Sequence, residues 1–410
     1  MKLLVYEHIS GGGFADEPLS AVILSEGFGM LRTLVSDFKA AGHHVSTTLD
    51  SRIAGLNPPI PADCVVPVIS SRETQVKICE LSEQADAVYV IAPETYGVLQ
   101  SLVEIVKQTR AASLNCQVGA IEKVSDKAGY TEFIRTLGVP MPETKLFSIN
   151  DGPEEIMKAV RSSLSFPVVF KSSDSVSCGG VSVVRNEAQL AGAVGKIKSK
   201  SSDKQFMVQK LVKGSASSVS LLSTGDIVVP VSLNRQDVRL ETPDFCSSYD
   251  GGAVPFNHPR EAEAFESAKK LVKSIPGLRG YIGVDFVLTD EAAVAIEVNP
   301  RLTTSYVGLR RTINFNPAQA IVDAVLKHEL PSQVESCGCT MFSKVETPIP
   351  SASALQKTYG MDEVISPPFP VSNDGRASAL IVSYGATLEE ASAGFREAKK
   401  RVLNTICRGS

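Results

Sequence analysis

In the N-terminal quarter of the chain, short apolar runs alternate with stretches whose apolar residues recur every three or four positions. The first pattern predicts strands and the second predicts amphipathic helices. We predict strands at Lys2–Tyr6, His44–Leu49 and Asp86–Ile91, and helices at Leu31–Ala41, ending at Gly42, and Val98–Thr109. Pro58, Pro59 and Pro61 predict a loop between the second and third strands. This alternation is typical of an open α/β layer with a largely parallel sheet.

From about residue 113 onward, strands follow one another more closely. A helix is predicted at Lys127–Leu137, capped by Asp126 and ended by Gly138. Further strands are predicted at Val168–Ser172, Val181–Val184, Phe206–Gln209, Ser217–Ser223, Ile227–Asn234, Gly280–Leu288 and Ala293–Asn299, with a helix at Arg260–Ile275. These strands predict an antiparallel sheet, and the tail from Cys337 predicts a strand-rich piece that ends in a helix at Leu388–Thr405.

The length of 410 residues favours several domains rather than one core. We divide the chain into an N-terminal α/β domain (1–112), a central α+β domain (113–335) with a lid subdomain at about 165–212, and a small C-terminal piece (336–410). The fold class is therefore α/β, with α+β character in the central part.

Composition and charge narrow the range of partners. The net charge of −4 leaves no basic surplus for nucleic acid, and no apolar run approaches the roughly 20 residues of a membrane span. The N-terminus does not have the pattern of a secretory signal. Eight cysteines without CxxC spacing favour reduced thiols in a cytoplasmic protein over a zinc or redox site at Cys337-Gly-Cys339.

Lys127 stands in the first turn of a predicted helix, where the helix dipole favours anions over cations. A phosphate bound by both the lysine and the helix end would explain this choice. A solvated surface lysine is the alternative.

A second lysine, Lys171, ends a buried strand eight residues before Gly179-Gly180. Glycine backbone amides can close over phosphate oxygens, and the lysine adds charge. A plain β-hairpin with a flexible tip is the alternative here.

Three oxygen-bearing side chains lie on two successive strands. Glu297 and Asn299 are two residues apart and share a strand face, and pairing could bring Asp285 opposite them. An all-oxygen set of this kind suits Mg²⁺ that bridges substrate phosphates. Arg301 follows and could clamp a transferred phosphoryl group. A solvated strand face is the alternative, but the apolar residues before Glu297 argue for burial.

Taken in order, these motifs resemble the ATP-grasp superfamily over nearly the whole chain. In that family a helix beginning with Asp-Lys, a strand lysine with a glycine-rich loop, an adenine hinge and a Glu-x-Asn-x-Arg strand follow one another. The hinge would be FMVQKLVKG at 206–214. The resemblance implies an ATP-grasp fold preceded by an open parallel-sheet N-terminal domain.

The resemblance also implies roles for individual residues. ATP would be bound by Lys127, Lys171, Ser177, Gly179, Gly180, Val181, Gln209, Lys210 and Val212. Asp285, Glu297 and Asn299 would hold two Mg²⁺ or Mn²⁺ ions, and Arg301 and Lys171 would be catalytic. The chain departs from many members at Gln209, where they have an acidic residue, and at Ala216, where they have a glutamate for the ribose. The ribose contact must therefore come from Gln209 or another residue.

ATP-grasp enzymes generally phosphorylate a carboxylate and let an amine attack the acyl phosphate. The segments YEHISGGG (6–13), LSEGFGML (24–31) and IAPETYGVL (91–99) resemble those of members that join the γ-carboxylate of glutamate to tyramine in methanofuran biosynthesis. The resemblance implies an ADP-forming ligase for glutamate and tyramine or a similar amine, and it allows for a homodimer. A ligase for a different amine, a biotin-carboxylase-like subunit and a non-catalytic nucleotide-binding module are the alternatives.

The substrate-binding candidates lie in the remaining unusual segments: Gly12, Gly13, Glu26, Asn234, Arg235, Gln236 and Gly252. A polar strand end is the alternative for the three consecutive polar residues, and a turn is the alternative for Gly252. The triplet Gly11-Gly12-Gly13 lacks the spacing of a phosphate loop. Since it follows the first strand, at the sheet edge where ligands usually bind, we expect it to face the acid or the amine. A structural turn is the alternative.

Overall fold

The computed structural model describes residues 1–57, 59–172, 180–200, 205–371 and 375–408. Three sheets carry these residues: a five-stranded sheet near the N-terminus, a four-stranded sheet in the middle and an eight-stranded sheet that takes in the C-terminal part. Among the described residues, no helix combines the length and the apolar character that crossing a membrane requires. The described cysteines are free thiols.

The N-terminal sheet is parallel throughout, which confirms the open α/β layer. Its strands lie in the order β3-β2-β1-β4-β5. The elements are β1 (Lys2–Glu7), α1 (Ala21–Ala40), β2 (His44–Asp50), β3 (Cys64–Val68), α2 (Ser71–Gln84), β4 (Ala87–Ile91), α3 (Val98–Lys107) and β5 (Ala112–Ser113). β3 and α2 lie in a stretch where only a proline-containing loop was predicted.

Helix α1 begins at Ala21, so the prediction of a helix starting at Leu31 is wrong at its N-terminus. The LSEGFGML segment lies inside the helix. Its glycines obscured the pattern, because they lower helix propensity. Tertiary packing explains one of them: a side chain at Gly27 would meet the carboxylate of Glu7 at 2.6 Å.

The four-stranded sheet is antiparallel, in the order β6-β9-β7-β8. Two helices precede it, and the first turn of the second is capped as predicted, with the Asp126 side chain accepting from the Gly129 amide at 3.1 Å. The elements are α4 (Val118–Ser125), α5 (Lys127–Leu137), β6 (Thr144–Ser148), α6 (Pro153–Ala159), β7 (Val168–Ser172), β8 (Ser182–Val184), α7 (Leu190–Lys200) and β9 (Gln205–Lys210).

The eight-stranded sheet is antiparallel, in the order β14-β13-β10-β11-β12-β15-β17-β16. Its elements are β10 (Ser215–Ser223), β11 (Val228–Arg239), β12 (Ser248–Val254), α8 (Glu261–Lys273), β13 (Gly280–Leu288), β14 (Ala293–Asn299), α9 (Tyr306–Leu309), α10 (Pro317–Val322), β15 (Cys339–Pro348), α11 (Ala352–Tyr359), β16 (Val364–Ser366), β17 (Arg376–Gly385) and α12 (Leu388–Arg408). The tail strands β15 to β17 extend the central sheet, so one sheet runs across the predicted boundary at 335/336.

The tail also packs on the N-terminal unit. The Arg32 guanidinium of α1 donates to the Val364 carbonyl at 2.8 Å and lies 4.3 Å from the centre of the Tyr359 ring. Phe28 and Phe369 pack edge to face, with ring centres 4.9 Å apart. The two ends of the sequence are therefore held together beside the central sheet.

Candidate active site

One cleft of about 810 Å³ lies where the three sheets approach one another. Its walls come from α1, the segment after β4, the start of α5, strands of the four-stranded sheet, and β11 to β14. Most of the predicted nucleotide and metal residues line it: Lys127, Lys171, Val181, Gln209, Lys210, Val212, Asp285, Glu297, Asn299 and Arg301. Residues separated by more than a hundred positions in sequence thus share one cavity.

The predicted pairing of two carboxylates is confirmed. Asp285 on β13 is the direct partner of Glu297 on β14. The Asn299 amide donates to Asp285 Oδ2 at 3.0 Å, and the Gln236 amide donates to Oδ1 at 2.9 Å. Gln236 therefore belongs to this cluster rather than to a separate substrate patch.

Both predicted phosphate-binding lysines approach Glu297. Lys127 Nζ lies 3.5 Å from Glu297 Oε2, and Lys171 Nζ lies 3.3 Å from the same oxygen. Burial lowers the pKa of Lys171. Two ammonium groups at one carboxylate make a concentrated positive site beside the cleft, which suits the charge of a polyphosphate.

The two carboxylates titrate differently because their surroundings differ. Burial, and then the charge of Glu297, raise the pKa of Asp285. Lys127 and Lys171 lower the pKa of Glu297 despite its burial. Neighbouring carboxylates disfavour each other's ionisation. A divalent cation would relieve that repulsion.

The donor atoms of this cluster suit such a cation. Asp285, Glu297 and Asn299 offer only oxygen ligands, which Mg²⁺ and Mn²⁺ prefer. No group of three or more His, Cys, Asp or Glu with ligand spacing occurs in the described part of the chain. Two carboxylates and one amide are below that count, yet they match a site in which phosphate oxygens and water complete the coordination. The metal-binding role remains a prediction.

Arg301 lies two residues beyond the end of β14 and is held by a residue of the 91–99 segment to which the sequence assigned no individual role. Its Nε donates to the Glu94 carboxylate at 3.0 Å. Although burial opposes it, Glu94 keeps the pKa of Arg301 above its usual value. Glu94 follows β4 at the carboxyl edge of the parallel sheet, and that position was the available signal.

The predicted adenine hinge lines the cleft through Met207, Gln209, Lys210, Leu211 and Val212. Ile134, Val169, Met207, Leu211 and Ile296 contribute apolar side chains to the cleft wall. The side chain of Gln209 donates to Thr144 Oγ1 at 3.0 Å and is buried. That bond commits one amide hydrogen of Gln209, so a ribose contact would have to use the rest of the group. Ser177 and Gly179 lie outside the described residues, and Gly180 is buried but does not line the cleft.

Several predicted substrate residues lie away from the cleft. Asn234 is fully buried, and its amide donates to Ser218 Oγ at 3.2 Å and Ser220 Oγ at 2.9 Å. Arg235 alternates to the other face of β11 and pairs with Asp237 at 3.1 Å. A side chain at Gly252 would meet the Arg235 carbonyl at 1.9 Å, so this glycine allows close strand approach. Of the substrate candidates, Glu26 and Gln236 reach the cleft.

The glycine triplet forms a tight turn in which Gly11 and Gly12 are buried, and none of its residues lines the cleft; that it faces substrate remains a prediction. Gly12 has φ of +99°, and a side chain there would meet Val68 Cγ2 at 2.2 Å and Thr74 Oγ1 at 2.6 Å. A side chain at Gly13 would meet the ring of His8 at 2.3 Å. These glycines let the turn after β1 pack against β3 and α2.

The C-terminal tail places a positive charge next to the cleft, which no motif in its sequence predicted. Lys344 on β15 forms an ion pair with Glu26 on α1 at 2.5 Å. Thr304, which lines the cleft three residues after Arg301, donates to the other oxygen of Glu26 at 3.0 Å. The contact joins residues 318 positions apart, so no local pattern could reveal it.

Comparison with known proteins adds a family to this geometry. Residues 124–305 match the ATP-grasp domain family, and residues 43–121 match the pre ATP-grasp 3 domain family. A tyramine–L-glutamate ligase from Methanocaldococcus fervens is 28% identical over 335 residues, which cover 81% of this chain and 97% of that protein. Its counterpart from Methanocaldococcus jannaschii is 29% identical over 342 residues, with 81% and 92% coverage.

Solved structures agree on the architecture. A biotin carboxylase from Campylobacter jejuni superposes with a TM-score of 0.73 at 18% identity, over 98% of this chain and 94% of that chain. At that identity the likeness concerns the fold alone.

Proposed function

We propose that this chain, which belongs to the ATP-grasp superfamily and is an ATP-dependent amide-forming ligase, joins the γ-carboxylate of L-glutamate to the amine of tyramine. ADP and phosphate are the other products. The observation that carries the proposal is that Arg301 and the paired carboxylates Asp285 and Glu297 line the same cleft. The choice of substrates rests on the two relatives named tyramine–L-glutamate ligase. The match covers more than nine-tenths of the length of each of them.

The first step is phosphoryl transfer to the carboxylate. A γ-carboxylate oxygen of glutamate attacks the γ-phosphorus of ATP, and the bond to the bridging oxygen of ADP breaks. Lys127 and Lys171 hold the phosphates, since their ammonium groups meet at Glu297 on the cleft wall. A divalent cation held by Asp285, Glu297 and Asn299 would neutralise phosphate charge when bound.

The second step forms the amide. The neutral amine nitrogen of tyramine attacks the acyl carbon, the bond from that carbon to the phosphate oxygen breaks, and the nitrogen gives a proton to the departing phosphate. Arg301 stabilises the oxyanion that develops on the acyl group, because its guanidinium lines the cleft and is oriented by Glu94.

The proposal is tested by product analysis. The purified protein is incubated with ATP, Mg²⁺ and L-glutamate, with tyramine or with each of a panel of other amines. We expect ADP release that depends on both glutamate and tyramine, and a product of the mass of glutamyl-tyramine whose fragmentation places the amide at the γ-carbon.

The control arms address the alternatives. ADP release with another amine but none with tyramine would contradict the acceptor and leave the ligase chemistry intact. Release that requires bicarbonate and no amine would point to the carboxylase alternative, and ATP binding without any release would point to a non-catalytic module.

A further inference from the structure

Glu26 on the cleft wall and its partner Lys344 form a charged pair that the proposed chemistry does not use. Glu26 and Lys344 are paired at 2.5 Å, and their side chains are only 9% and 10% exposed. Glu26 nevertheless lines the cleft, with Thr304 on its second oxygen. A buried ion pair costs desolvation energy and is weak evidence for stability by itself. Its position facing a substrate cavity therefore calls for a function.

The pair lies next to the predicted reaction centre. Thr304 is in the segment that follows Arg301, so this segment reaches both the predicted acyl-binding arginine and Glu26. Tyr249 lines the cleft between the two regions: the Lys344 ammonium lies 5.5 Å from the centre of its ring, and after burial the charges of Glu26 and then Asp285 raise its pKa. A ligand that contacts Arg301 with one end can therefore contact Glu26 with the other.

The carboxylate of Glu26 and the adjacent ammonium of Lys344 are complementary to the two charged groups of an α-amino acid: the carboxylate to its α-ammonium and the ammonium to its α-carboxylate. A carboxylate can accept about four hydrogen bonds. Lys344 and Thr304 use one on each oxygen of Glu26, so lone pairs remain that can accept hydrogen bonds from a ligand ammonium. A carboxylate also favours the charged form of an amine beside it. Glu26 therefore suits an amine that stays protonated, such as the α-amine of the donor, and does not suit the amine that must attack.

We propose that Glu26, positioned by Lys344 and Thr304, is a specificity-determining residue that binds the α-ammonium of the amino-acid donor, with Lys344 directed to its α-carboxylate. The side-chain carboxylate is then the end that reaches Arg301. The inference rests on the proposed function, and it explains why the γ-carboxylate rather than the α-carboxylate is activated.

Truncated donors test this assignment. Glutarate lacks the α-amine of glutamate, and 4-aminobutanoate lacks its α-carboxylate. We measure ADP release with ATP, Mg²⁺ and tyramine for glutamate and both analogues, using the wild type, Glu26→Gln, Lys344→Met and the exposed-site controls Glu17→Gln and Lys357→Met. Glu26→Gln is expected to lower kcat/KM for glutamate at least about tenfold and to leave glutarate within about twofold, because a charge-assisted hydrogen bond is lost only with the amine present. Lys344→Met should correspondingly reduce the preference for glutamate over 4-aminobutanoate.

The charge-swapped variant Glu26→Lys/Lys344→Glu separates recognition from structure. It keeps an ion pair but reverses its polarity, so we expect nucleotide-induced thermal stabilisation to persist and the preference for glutamate over glutarate to stay lost. A swap that regains the wild-type preference, or a Glu26→Gln variant that keeps it, would overturn the inference. A wild type without glutamate-dependent ADP release would overturn the proposed function as well, which is a different and recognisable result.

Discussion

Glu297 lies between two ammonium groups and a second carboxylate, and this position explains why one side chain carries so much of the site. Lys127 and Lys171 both pair with its Oε2, while Asp285 faces it across the strand pair. Removing its charge would leave two lysines without their shared anion and would halve the carboxylate charge of the predicted metal set. Its role therefore depends on charge rather than on shape.

The conservative substitution Glu297→Gln tests that dependence. We expect turnover to fall by about a hundredfold or more, since charge placed at the transferring phosphoryl group accounts for losses of this size. ADP release is the measurement, and Glu291→Gln, an exposed glutamate in the turn before β14, is the control. Unchanged turnover in Glu297→Gln would contradict both the metal-binding role and the catalytic assignment of this cleft.

Asp37 is a buried carboxyl outside the cleft. Its Oδ2 accepts from the Tyr306 hydroxyl at 2.9 Å, and Arg310 Nε lies 3.7 Å from Oδ1. Burial raises its pKa from 3.8 to about 7. The folded protein therefore holds this proton more tightly than the unfolded chain does, and the free energy of unfolding falls as pH rises from about 4 to 7 and stays level above.

Asp37→Asn should remove this part of the pH dependence. At pH 8 the variant should be more stable than the wild type by up to about 4 kcal/mol, and near pH 4 the two should be similar. Denaturant unfolding across this pH range measures the effect, with the exposed Asp226→Asn as control. If the free energy of unfolding changed with pH in the same way for the wild type and Asp37→Asn, the prediction would be wrong. The folded protein would then ionise Asp37 as readily as the unfolded chain does.

At the scale of elements, sequence rules correctly predicted the features that depend only on neighbouring residues in the chain. The Asp126 cap, the glycine end of α5 at Gly138 and the alternation along β13 and β14 are set by neighbours in sequence, and all were predicted. The N-terminal half of α1 was missed because its glycines are explained only by what packs on them. The contacts of Arg301 with Glu94 and of Lys344 with Glu26 span 207 and 318 positions, so only the fold could show them.

The turn after β1 provides an element-scale prediction. Gly12→Ala places a methyl group at φ of +99° and against Val68 and Thr74. We expect a loss of about 2 kcal/mol or more in the free energy of unfolding, from backbone strain and overpacking together. Gly55→Ala is the matched control, because a side chain there meets nothing within 4 Å.

The kinetics of the same variant distinguish a structural turn from a substrate loop. The KM values for ATP and glutamate should stay at the wild-type level in the folded fraction of Gly12→Ala. A variant of unchanged stability with a raised KM for glutamate or tyramine would instead support the original prediction that this loop faces substrate.

At the scale of the whole molecule, the two ends of the chain meet beside the cleft. α1 supplies Glu26 to the cleft wall and β15 supplies its partner Lys344, while the predicted metal ligands lie on β13 and β14 between them in sequence. Because β15 pairs along β12 and β17 packs beside α1, the tail both extends the sheet and fixes the N-terminal unit. This arrangement predicts that nucleotide and donor sites depend on the tail to different degrees.

Ending the chain after residue 335 tests how far the tail can be treated as a separate piece. The truncation exposes the edge of β12 and removes Phe369, which packs on Phe28 of α1. An uncovered strand edge and apolar helix face favour aggregation, so we expect loss of cooperative thermal unfolding and of glutamate-dependent ADP release. A chain ending at Arg408 is the control and should behave as the full chain does. Cooperative unfolding with intact ATP binding in the truncated chain would instead establish residues 336–410 as a separable unit, because the central sheet would then be stable with β12 at its edge.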